Sequence, residues 1–383
     1  MATSPIFRSG PATLRRRRPR AEQANLTLFT TAARPGICEG PNQGREQTAA
    51  LPVASRGLEP VAELVGLARL AASSPRAEAK RGTEYFLLPV RSILNHCEPK
   101  HVPFNWTINP YRGCEFGCKY CYARYTHEYM QLDGDEFEKK IFVKQNAGPL
   151  CSRDMAEGKA WGEHIAIGAA TDPYQPAEKE FGATRAILER MAEREGLSLS
   201  ITTKSNRIVG DLDILKRIAE RSAISVNMTI TTLRPRLARM LEPRAPHPNL
   251  RLEAVRKLRE AGIAVGVFAM PVIPGLTDRP ADLDALAGAA RDAGAQWFCS
   301  RALYLMPASW KTFIAFVEEK FPRLADRYRD MYRGYGEAPE KYRREIAALT
   351  DQLRQKYKLG SRPPVPATTP KTTQLDFAWA GAK

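Results

Sequence analysis

Residues 113–121 read GCEFGCKYC and place Cys114, Cys118 and Cys121 in a C-x3-C-x2-C spacing. Thiolates are soft ligands that suit zinc or iron–sulfur clusters. Three cysteines on one loop can bind three irons of a four-iron cluster, which leaves the fourth iron for an exchangeable ligand, as a catalytic centre requires. The two glycines and Lys119 of this stretch argue against an ordinary apolar core position for the cysteines.

The same cysteines are also compatible with zinc. His127 lies six positions after Cys121 and would complete a Cys3His ligand set. Under this alternative the chain is a zinc-bound, non-catalytic module that binds nucleic acid through its positive charge.

The composition is that of a folded protein with a sizeable core. The chain has 383 residues, of which 43% are hydrophobic and 26% are charged, so wholesale disorder and a fibrous repeat are excluded. The net charge of +16 suggests a polyanionic partner such as DNA or RNA. The seven cysteines are odd in number and three lie close together. This pattern is unlike a disulfide framework, so we expect a reducing compartment and four reduced cysteines outside the loop.

The sequence lacks a recognisable membrane span or secretory signal, so we expect a cytoplasmic location. The most apolar stretch, residues 261–273, contains Gly and Pro and is too short to cross a bilayer. Arginines at the N-terminus are not followed by an apolar block, so we expect no secretory signal there. An organellar transit peptide or an over-long start remains an alternative for residues 1–58.

Composition divides the chain into five predicted segments. They are a disordered basic extension (1–58), an N-terminal lead-in (59–103), a core barrel (104–308), a C-terminal helical region (309–360) and a flexible tail (361–383).

Strand and helix patterns alternate through the core segment. Strands are predicted at 104–110, 163–170, 197–203, 223–231, 263–269 and 297–304, and helices before Gly196 and at 211–222, 249–261 and 281–293. Short connections between them indicate an α/β fold in which helices wrap a parallel sheet. Six strands, rather than the eight of a closed barrel, predict a partial (β/α)6 TIM-like barrel. Its chemistry is expected at the C-terminal ends of the strands. From Ser309 the chain is predicted to be wholly helical.

At the cysteine loop the sequence resembles the radical S-adenosylmethionine (SAM) superfamily, whose signature is C-x3-C-x2-C with an aromatic residue, here Tyr120, before the last cysteine. The closer likeness is to its spore photoproduct lyase-like subgroup over residues 84–345. The stretches that carry it include NPYRGCEFGCKYCYARYTH (109–127), TDPYQP (171–176), ITTKS (201–205), SVNMTIT (225–231), LEPRAPHPNLRLEAVRKLREAGI (241–263) and GVFAMPVIPG (266–275).

The resemblance implies a lyase-like radical SAM enzyme with a [4Fe–4S] cluster and bound SAM. Such an enzyme cleaves SAM reductively to methionine and a 5′-deoxyadenosyl radical. It needs a reducing electron donor such as flavodoxin or ferredoxin.

The resemblance also implies SAM-contacting positions at successive strand ends. Those positions are Thr171 and Asp172 for the amino group, Lys204 for the carboxylate, Ser225 and Asn227 for the ribose, Ala269, Met270 and Pro271 for the adenine, and Tyr120 for stacking.

One departure from the subgroup bears on the reaction. Spore photoproduct lyase uses a cysteine near the end of the second strand to return a hydrogen atom, and Ala170 occupies that position here. The sequence therefore argues against direct repair of the spore thymine dimer by the same route. Cys299, Cys151 and Tyr122 are the candidate replacements, and the substrate stays open among a DNA lesion, RNA, a peptide and a small metabolite.

Overall fold

The computed structural model describes residues 64–80, 82–98, 104–160, 162–333 and 335–363. The predicted extension at 1–58 and most of the predicted tail at 361–383 lie outside the described residues.

Short strands and helices follow one another along the described chain. The strands are β1 (Arg76–Lys80), β2 (Thr83–Leu88), β3 (Leu94–His96), β4 (Trp106–Ile108), β5 (Tyr111–Arg112), β6 (Lys140–Lys144), β7 (His164–Ile167), β8 (Ser198–Thr203), β9 (Ala223–Thr229), β10 (Ala264–Val272), β11 (Phe298–Ala302), β12 (Tyr304–Leu305) and β13 (Gly336–Glu337). The α-helices are α1 (Gly66–Ser73), α2 (Tyr125–Glu128), α3 (Ala147–Ala156), α4 (Glu178–Phe181), α5 (Ala183–Met191), α6 (Leu212–Arg221), α7 (Pro235–Leu241), α8 (Pro248–Glu260), α9 (Pro280–Asp292), α10 (Pro307–Lys320), α11 (Ala325–Tyr332) and α12 (Glu340–Tyr357).

The main sheet has seven strands, of which six are parallel. Its order is β11-β10-β9-β8-β7-β4-β3, and only β3 runs antiparallel to its neighbour. The two outer strands, β11 and β3, do not pair with each other, so the sheet is an open barrel with helices between successive strands. This confirms the predicted partial (β/α)6 barrel, and all six predicted strands are present with shifted ends.

The helices pack their apolar faces against the sheet. In α6, Ile214, Leu215 and Ile218 are fully buried at the 3.6-residue period of an amphipathic helix. Burial of each such side chain contributes roughly 1.5–3 kcal/mol. In α12, Ile346 and Leu353 belong to the same core.

A second sheet was not predicted from the sequence. Its order is β1-β2-β6-β5, and it lies beside the cysteine loop because β5 leads directly into that loop. β5 has two residues and β1 reads RAEAK, so neither carries a recognisable strand pattern. The prediction of a wholly helical region after Ser309 is also wrong. A strand, β13, lies between α11 and α12 and pairs with β12, which precedes α10.

None of the helices in the described part of the chain combines the length and apolar character that a bilayer-spanning helix requires.

Candidate functional site

Backbone hydrogen bonds hold the cysteine loop against the segment that precedes β6 and against the end of α7. The Cys114 amide donates to the Phe137 carbonyl at 3.0 Å, and the Lys119 amide donates to the Leu241 carbonyl at 2.9 Å. Gly113 has φ +83°, and a Cβ there would lie 2.7 Å from the Lys140 carbonyl oxygen. Glycine is therefore required at 113 both for its backbone conformation and for the close approach of the two segments.

The three cysteines are free thiols in a mostly buried setting. Cys114 and Cys118 are buried, and Cys121 is half-buried where the loop turns into a short 3-10 helix, Tyr122–Arg124. Burial raises the pKa of all three thiols, to about 12 for Cys118. Nearby cations oppose this effect: Lys204 lowers the pKa of Cys118 and Cys121, and Arg124 lowers that of Cys121. Cations beside buried thiols favour the thiolate form that binds iron.

Gln175 fastens this loop to the segment after β7. Its Nε2 donates to the Gly113 carbonyl at 3.1 Å and to the Thr171 hydroxyl at 3.0 Å, and its Oε1 accepts from the Glu115 amide at 2.9 Å. The Thr171 hydroxyl also donates to the Gly113 carbonyl, at 2.6 Å. Thr171 and Gln175 thus fix the start of the cysteine loop against the barrel.

Asp172 fastens the same segment to the end of β8. Its Oδ1 accepts from the Thr203 hydroxyl at 2.6 Å and from the Tyr174 amide at 2.9 Å, and its Oδ2 accepts from the Lys204 amide at 2.7 Å. The predicted contact of Thr171 and Asp172 with the SAM amino group stays a prediction, and both side chains already have protein partners.

Lys204 extends from the end of β8 towards the cysteines. Its Nζ lies 5.8 Å from the centroid of the Tyr120 ring. Burial lowers the pKa of Lys204, but Cys118, Glu242 and Cys121 outweigh burial and leave it above the ordinary value. Within the described ranges, no side chain forms a salt bridge with Lys204 and no acceptor takes a hydrogen bond from its Nζ. The structure therefore brings Lys204, Tyr120 and the cysteine loop together, and the predicted contact of Lys204 with the SAM carboxylate stays a prediction.

Behind Tyr120 lies a buried ion pair. The Tyr120 hydroxyl contacts the Glu242 carboxylate and lies 3.0 Å from the Thr231 hydroxyl. Arg251 binds the same carboxylate at 2.6 Å, and the side chains of both partners are 1% exposed. Arg251 also donates to the Thr229 carbonyl at the end of β9. This network fixes the Tyr120 ring relative to β9 and α8.

The predicted ribose-contacting residues, Ser225 and Asn227, lie within β9 and not at its C-terminal end. On β9, Asn227 donates to the Thr202 hydroxyl at 3.4 Å and accepts from the Trp297 indole at 3.1 Å. Ser225 donates to the Leu199 carbonyl at 3.4 Å. A Cβ at Gly266 would lie 2.2 Å from the Trp297 ring, so the indole fills the interior beside Asn227.

The predicted adenine-contacting residues are on β10. Ala269 is buried and Met270 is half-buried, and the Met270 carbonyl accepts from the Thr231 hydroxyl at 3.2 Å. Pro271 follows Met270 through a cis peptide bond. The contacts of these residues with SAM stay predictions.

His127 does not join the cysteines. It is fully buried, its Nε2 lies 3.0 Å from the Lys140 carbonyl, and its ring packs edge-on against Phe137 and Phe142. Burial lowers the pKa of His127 to about 4. Across the described residues, no three His, Cys, Asp or Glu side chains are grouped so as to hold a single metal ion. Because the His127 ring is enclosed by Phe137 and Phe142, the Cys3His zinc alternative is not favoured.

The donor set suits a four-iron cluster. Its members are three free thiols on one loop, flanked by Arg124 on one element and Lys204 on another. A cluster of this kind takes one thiolate on each of three irons.

The candidate hydrogen donors occupy different parts of the fold. The Tyr122 hydroxyl contacts the Ala169 carbonyl, next to Ala170, and Tyr122 is 39% exposed. Cys151 is fully buried on α3, where burial raises its pKa to about 12. Cys299 is buried on β11 and its Sγ donates to the Ser361 carbonyl at 3.1 Å.

Cysteines outside the loop agree only partly with expectation. Cys151 and Cys299 are free, as predicted. Cys97 is disulfide-bonded, so the prediction of a reduced thiol is wrong for this residue. Cys38 lies outside the described residues.

Sequence reasoning missed four residues that shape the site. Gln175, Arg124, Glu242 and Arg251 all lie inside the family-like stretches, but no local pattern distinguishes them. Their partners are as far as 122 positions away in sequence, as for Tyr120 and Glu242.

Comparison with known proteins agrees with this geometry. The family model described as the radical SAM superfamily matches residues 108–287. An uncharacterized protein of Mycobacterium tuberculosis (strain ATCC 25618 / H37Rv) is 33% identical over 316 residues, which cover 82% of this chain and 92% of that protein. An uncharacterized protein of Methanocaldococcus jannaschii is 34% identical over 181 residues, which cover 47% of this chain and 65% of that protein.

A solved structure shares the fold. A mutant of spore photoproduct lyase with bound AdoMet and dinucleoside spore photoproduct superimposes with a TM-score of 0.56 at 15% identity, covering 81% of this chain and 86% of that chain. With the six-stranded open barrel and the C-x3-C-x2-C loop, these matches establish that the chain is an enzyme that belongs to the radical SAM superfamily, with a fold like that of spore photoproduct lyase.

Proposed function

We propose that this enzyme uses a [4Fe–4S] cluster, held by Cys114, Cys118 and Cys121, to cleave SAM and start a radical reaction on a nucleic-acid substrate. The observation that carries the proposal is the arrangement of three free thiols, at the ends of the barrel strands, beside a lysine that forms no salt bridge with any residue the structure describes. When bound, the cluster and SAM supply a 5′-deoxyadenosyl radical that abstracts hydrogen. A reducing partner such as flavodoxin or ferredoxin supplies the electron.

Lys204 is the residue suited to bind the carboxylate of SAM. A lysine that lies close to the cysteines and forms no salt bridge within the described part of the chain can form a charge-assisted hydrogen bond with a ligand carboxylate. The Tyr120 ring on one side and the Asp172-bound backbone on the other restrict where its ammonium group can lie. Lys204 therefore orients the ligand relative to the cysteine loop.

The barrel strands supply the rest of the proposed SAM site. Ser225 and Asn227 face the ribose and Ala269 and Met270 face the adenine, with Thr171 and Asp172 near the amino group. The present hydrogen bonds of Thr171, Asp172, Ser225 and Asn227 fix these four side chains in position before a ligand arrives, which reduces the cost of ordering them on binding.

Exposed arginines at the same end of the barrel support a polyanionic substrate. Arg207 follows β8, and Arg236 and Arg239 lie on α7, directly after β9; all three are exposed. Arginines at such positions can contact phosphate groups and place a strand over the opening. The dinucleoside spore photoproduct bound by the similar lyase supports a lesion-containing nucleic acid as the first substrate class to test.

Anaerobic reconstitution with iron and sulfide tests the proposal. The wild type should bind about four irons in a brown protein and, with dithionite, release 5′-deoxyadenosine from SAM. Cys118→Ala should lose the cluster and the product. Cys151→Ala is the matched control, because Cys151 is also a buried free thiol but lies on α3, and it should retain both. A wild-type protein without iron, or Cys118→Ala with full activity, would overturn the proposal.

Deuterium transfer tests the substrate class. A deuterated oligonucleotide that contains a spore photoproduct should pass deuterium into 5′-deoxyadenosine. Transfer from a peptide or metabolite, with none from lesion-bearing or intact DNA and RNA, would contradict the nucleic-acid assignment while leaving the cofactor chemistry intact.

A further inference from the structure

Arg124 is a buried cation in the short 3-10 helix Tyr122–Arg124, which directly follows the cysteine loop. Its side chain is 0% exposed. It lies three positions after Cys121, and its Nη2 donates to the Cys118 carbonyl at 3.2 Å. Its Nη1 donates to the Gly134 carbonyl at 2.9 Å and to Glu138 at 2.6 Å. Arg124 therefore contacts the backbone of one proposed cluster ligand directly.

The bonding capacity of this guanidinium group is not used up by the protein. Its Nε is buried and lacks a hydrogen-bond partner within the described residues. Burial would lower the pKa of Arg124, but Glu138, Cys121 and Cys118 keep it above its ordinary value. A buried donor without a partner costs roughly 1–3 kcal/mol, so the site favours negative charge nearby.

The counter-ion of Arg124 is placed asymmetrically. Glu138 is 15% exposed, whereas Arg124 is enclosed and carries the contact to the Cys118 backbone. Water screens the charge of the exposed partner more than that of the buried partner. At Cys121 the contribution of Arg124 therefore exceeds the opposing contribution of Glu138, although the pair is formally neutral.

We propose that Arg124 is a positioning residue that sets the reduction potential of the cluster, with Glu138 acting in the opposite direction. The inference rests on the proposed function, because it needs a cluster on Cys114, Cys118 and Cys121. One-electron reduction adds a negative charge to a cluster, and net charge and hydrogen bonding around the cysteines set the potential. The buried cation favours the reduced form, and loss of the anion strengthens this effect.

Potentiometric titration of the reconstituted full-length enzyme, followed by EPR of the reduced cluster, tests this assignment. Arg124→Gln should lower the reduced-to-oxidised ratio at a fixed potential about tenfold, which is a potential ~59 mV more negative for a one-electron couple. Glu138→Gln should raise that ratio by a smaller factor. Arg124→Lys keeps the positive charge but lacks the planar guanidinium group, and its reduction potential should stay close to that of the wild type. Arg323→Gln, a change of an exposed arginine beyond α10, is the control and should leave the potential unchanged.

Opposite shifts of the reduction potential in Arg124→Gln and Glu138→Gln distinguish an electrostatic role of the ion pair from a structural one. A purely structural role would reduce iron content in both variants without moving their potentials apart. If Arg124→Gln fails to retain iron, Glu138→Gln decides, and an unchanged or more negative potential in that variant overturns the inference. A wild type that binds no cluster overturns the proposed function itself. A wild type that cleaves SAM, with equal potentials in all variants, overturns this inference alone.

Discussion

The Lys204 ammonium group lies 5.8 Å from the centroid of the Tyr120 ring, and the hydroxyl group of the same tyrosine contacts Glu242. One aromatic side chain thus connects the end of β8 with the segment between α7 and α8. Glu242 is itself bound by Arg251, which holds the end of β9. The position of Lys204 therefore depends on a buried ion pair that does not contact it.

Replacement of Lys204 by Met should weaken SAM binding while iron content is retained. Met keeps the aliphatic length of the side chain but removes the ammonium group. A hydrogen bond to a charged group contributes about 1.5–3 kcal/mol, which corresponds to about a 10- to 100-fold higher Kd for SAM. Equilibrium dialysis with the reconstituted enzyme measures this change. Lys216→Met, on the exposed face of α6, should bind SAM like the wild type. Unchanged SAM affinity in Lys204→Met would exclude the proposed role.

Glu242→Gln should destabilise the protein at neutral pH and remove part of its acid sensitivity. Burial raises the pKa of Glu242, but Arg251 and Lys204 outweigh burial and bring it below the ordinary value. A depressed pKa contributes stability that is complete above the unfolded-state value of about 4.3 and is lost as pH falls through the folded-state value. Breaking a buried pair costs about 3–5 kcal/mol at pH 7.

Urea unfolding between pH 7 and pH 3 measures both effects. The variant should be less stable at pH 7, and its stability should fall less steeply than that of the wild type below about pH 4.3. Glu253→Gln, a partly exposed glutamate on α8, is the control and should change stability by less than about 1 kcal/mol. If the free energy of unfolding falls equally steeply with decreasing pH in the wild type and in Glu242→Gln, the Glu242 carboxylate does not cause the acid sensitivity.

The barrel was predictable because its pattern is local. Each strand is a short apolar run, each helix has a periodic face, and short connections leave few alternatives. The second sheet was not predictable, since β5 has only two residues. These residues form a strand only because they pair antiparallel with β6, about 30 positions later.

The candidate site was predictable only where the type of side chain by itself indicates a function. Cysteine thiolates bind metals, and the ammonium group of Lys204 can bind a carboxylate. Gln175 and Arg251 give no such indication, because their roles come from partners such as Gly113 and Glu242 that tertiary packing brings close. Asn227 was predicted as a ribose ligand, but sequence alone does not show that the Trp297 indole already donates to it.

Replacement of Ala170 by Cys should give the enzyme the thiol that spore photoproduct lyase uses at the matching position. The Ala170 amide is held by the Asn109 side chain at 2.8 Å, and the Tyr122 hydroxyl contacts the neighbouring carbonyl of Ala169. Ala170→Cys should therefore raise the yield of repaired thymine from a dinucleoside spore photoproduct above that of the wild type, measured by chromatography. Ala170→Ser adds a polar group of similar size without a readily donated hydrogen atom and should not raise the yield. Equal yields in the wild type and both variants would indicate another substrate or another donor.

Gly113→Ala should disrupt the cysteine loop more than Gly182→Ala disrupts the turn between α4 and α5. Both glycines have positive φ, +83° and +58°, so both substitutions carry the left-handed penalty of roughly 1–2 kcal/mol. They differ in the space around the added methyl group. At 113 the Cβ would lie 2.7 Å from the Lys140 carbonyl oxygen and 2.8 Å from that of Phe137, whereas at 182 no atom lies within 4 Å. The clash should cost about 1–3 kcal/mol more at 113 and separate β6 from the cysteines. Urea unfolding and iron content measure both variants, and equal losses in the two would mean that the loop does not depend on this close approach.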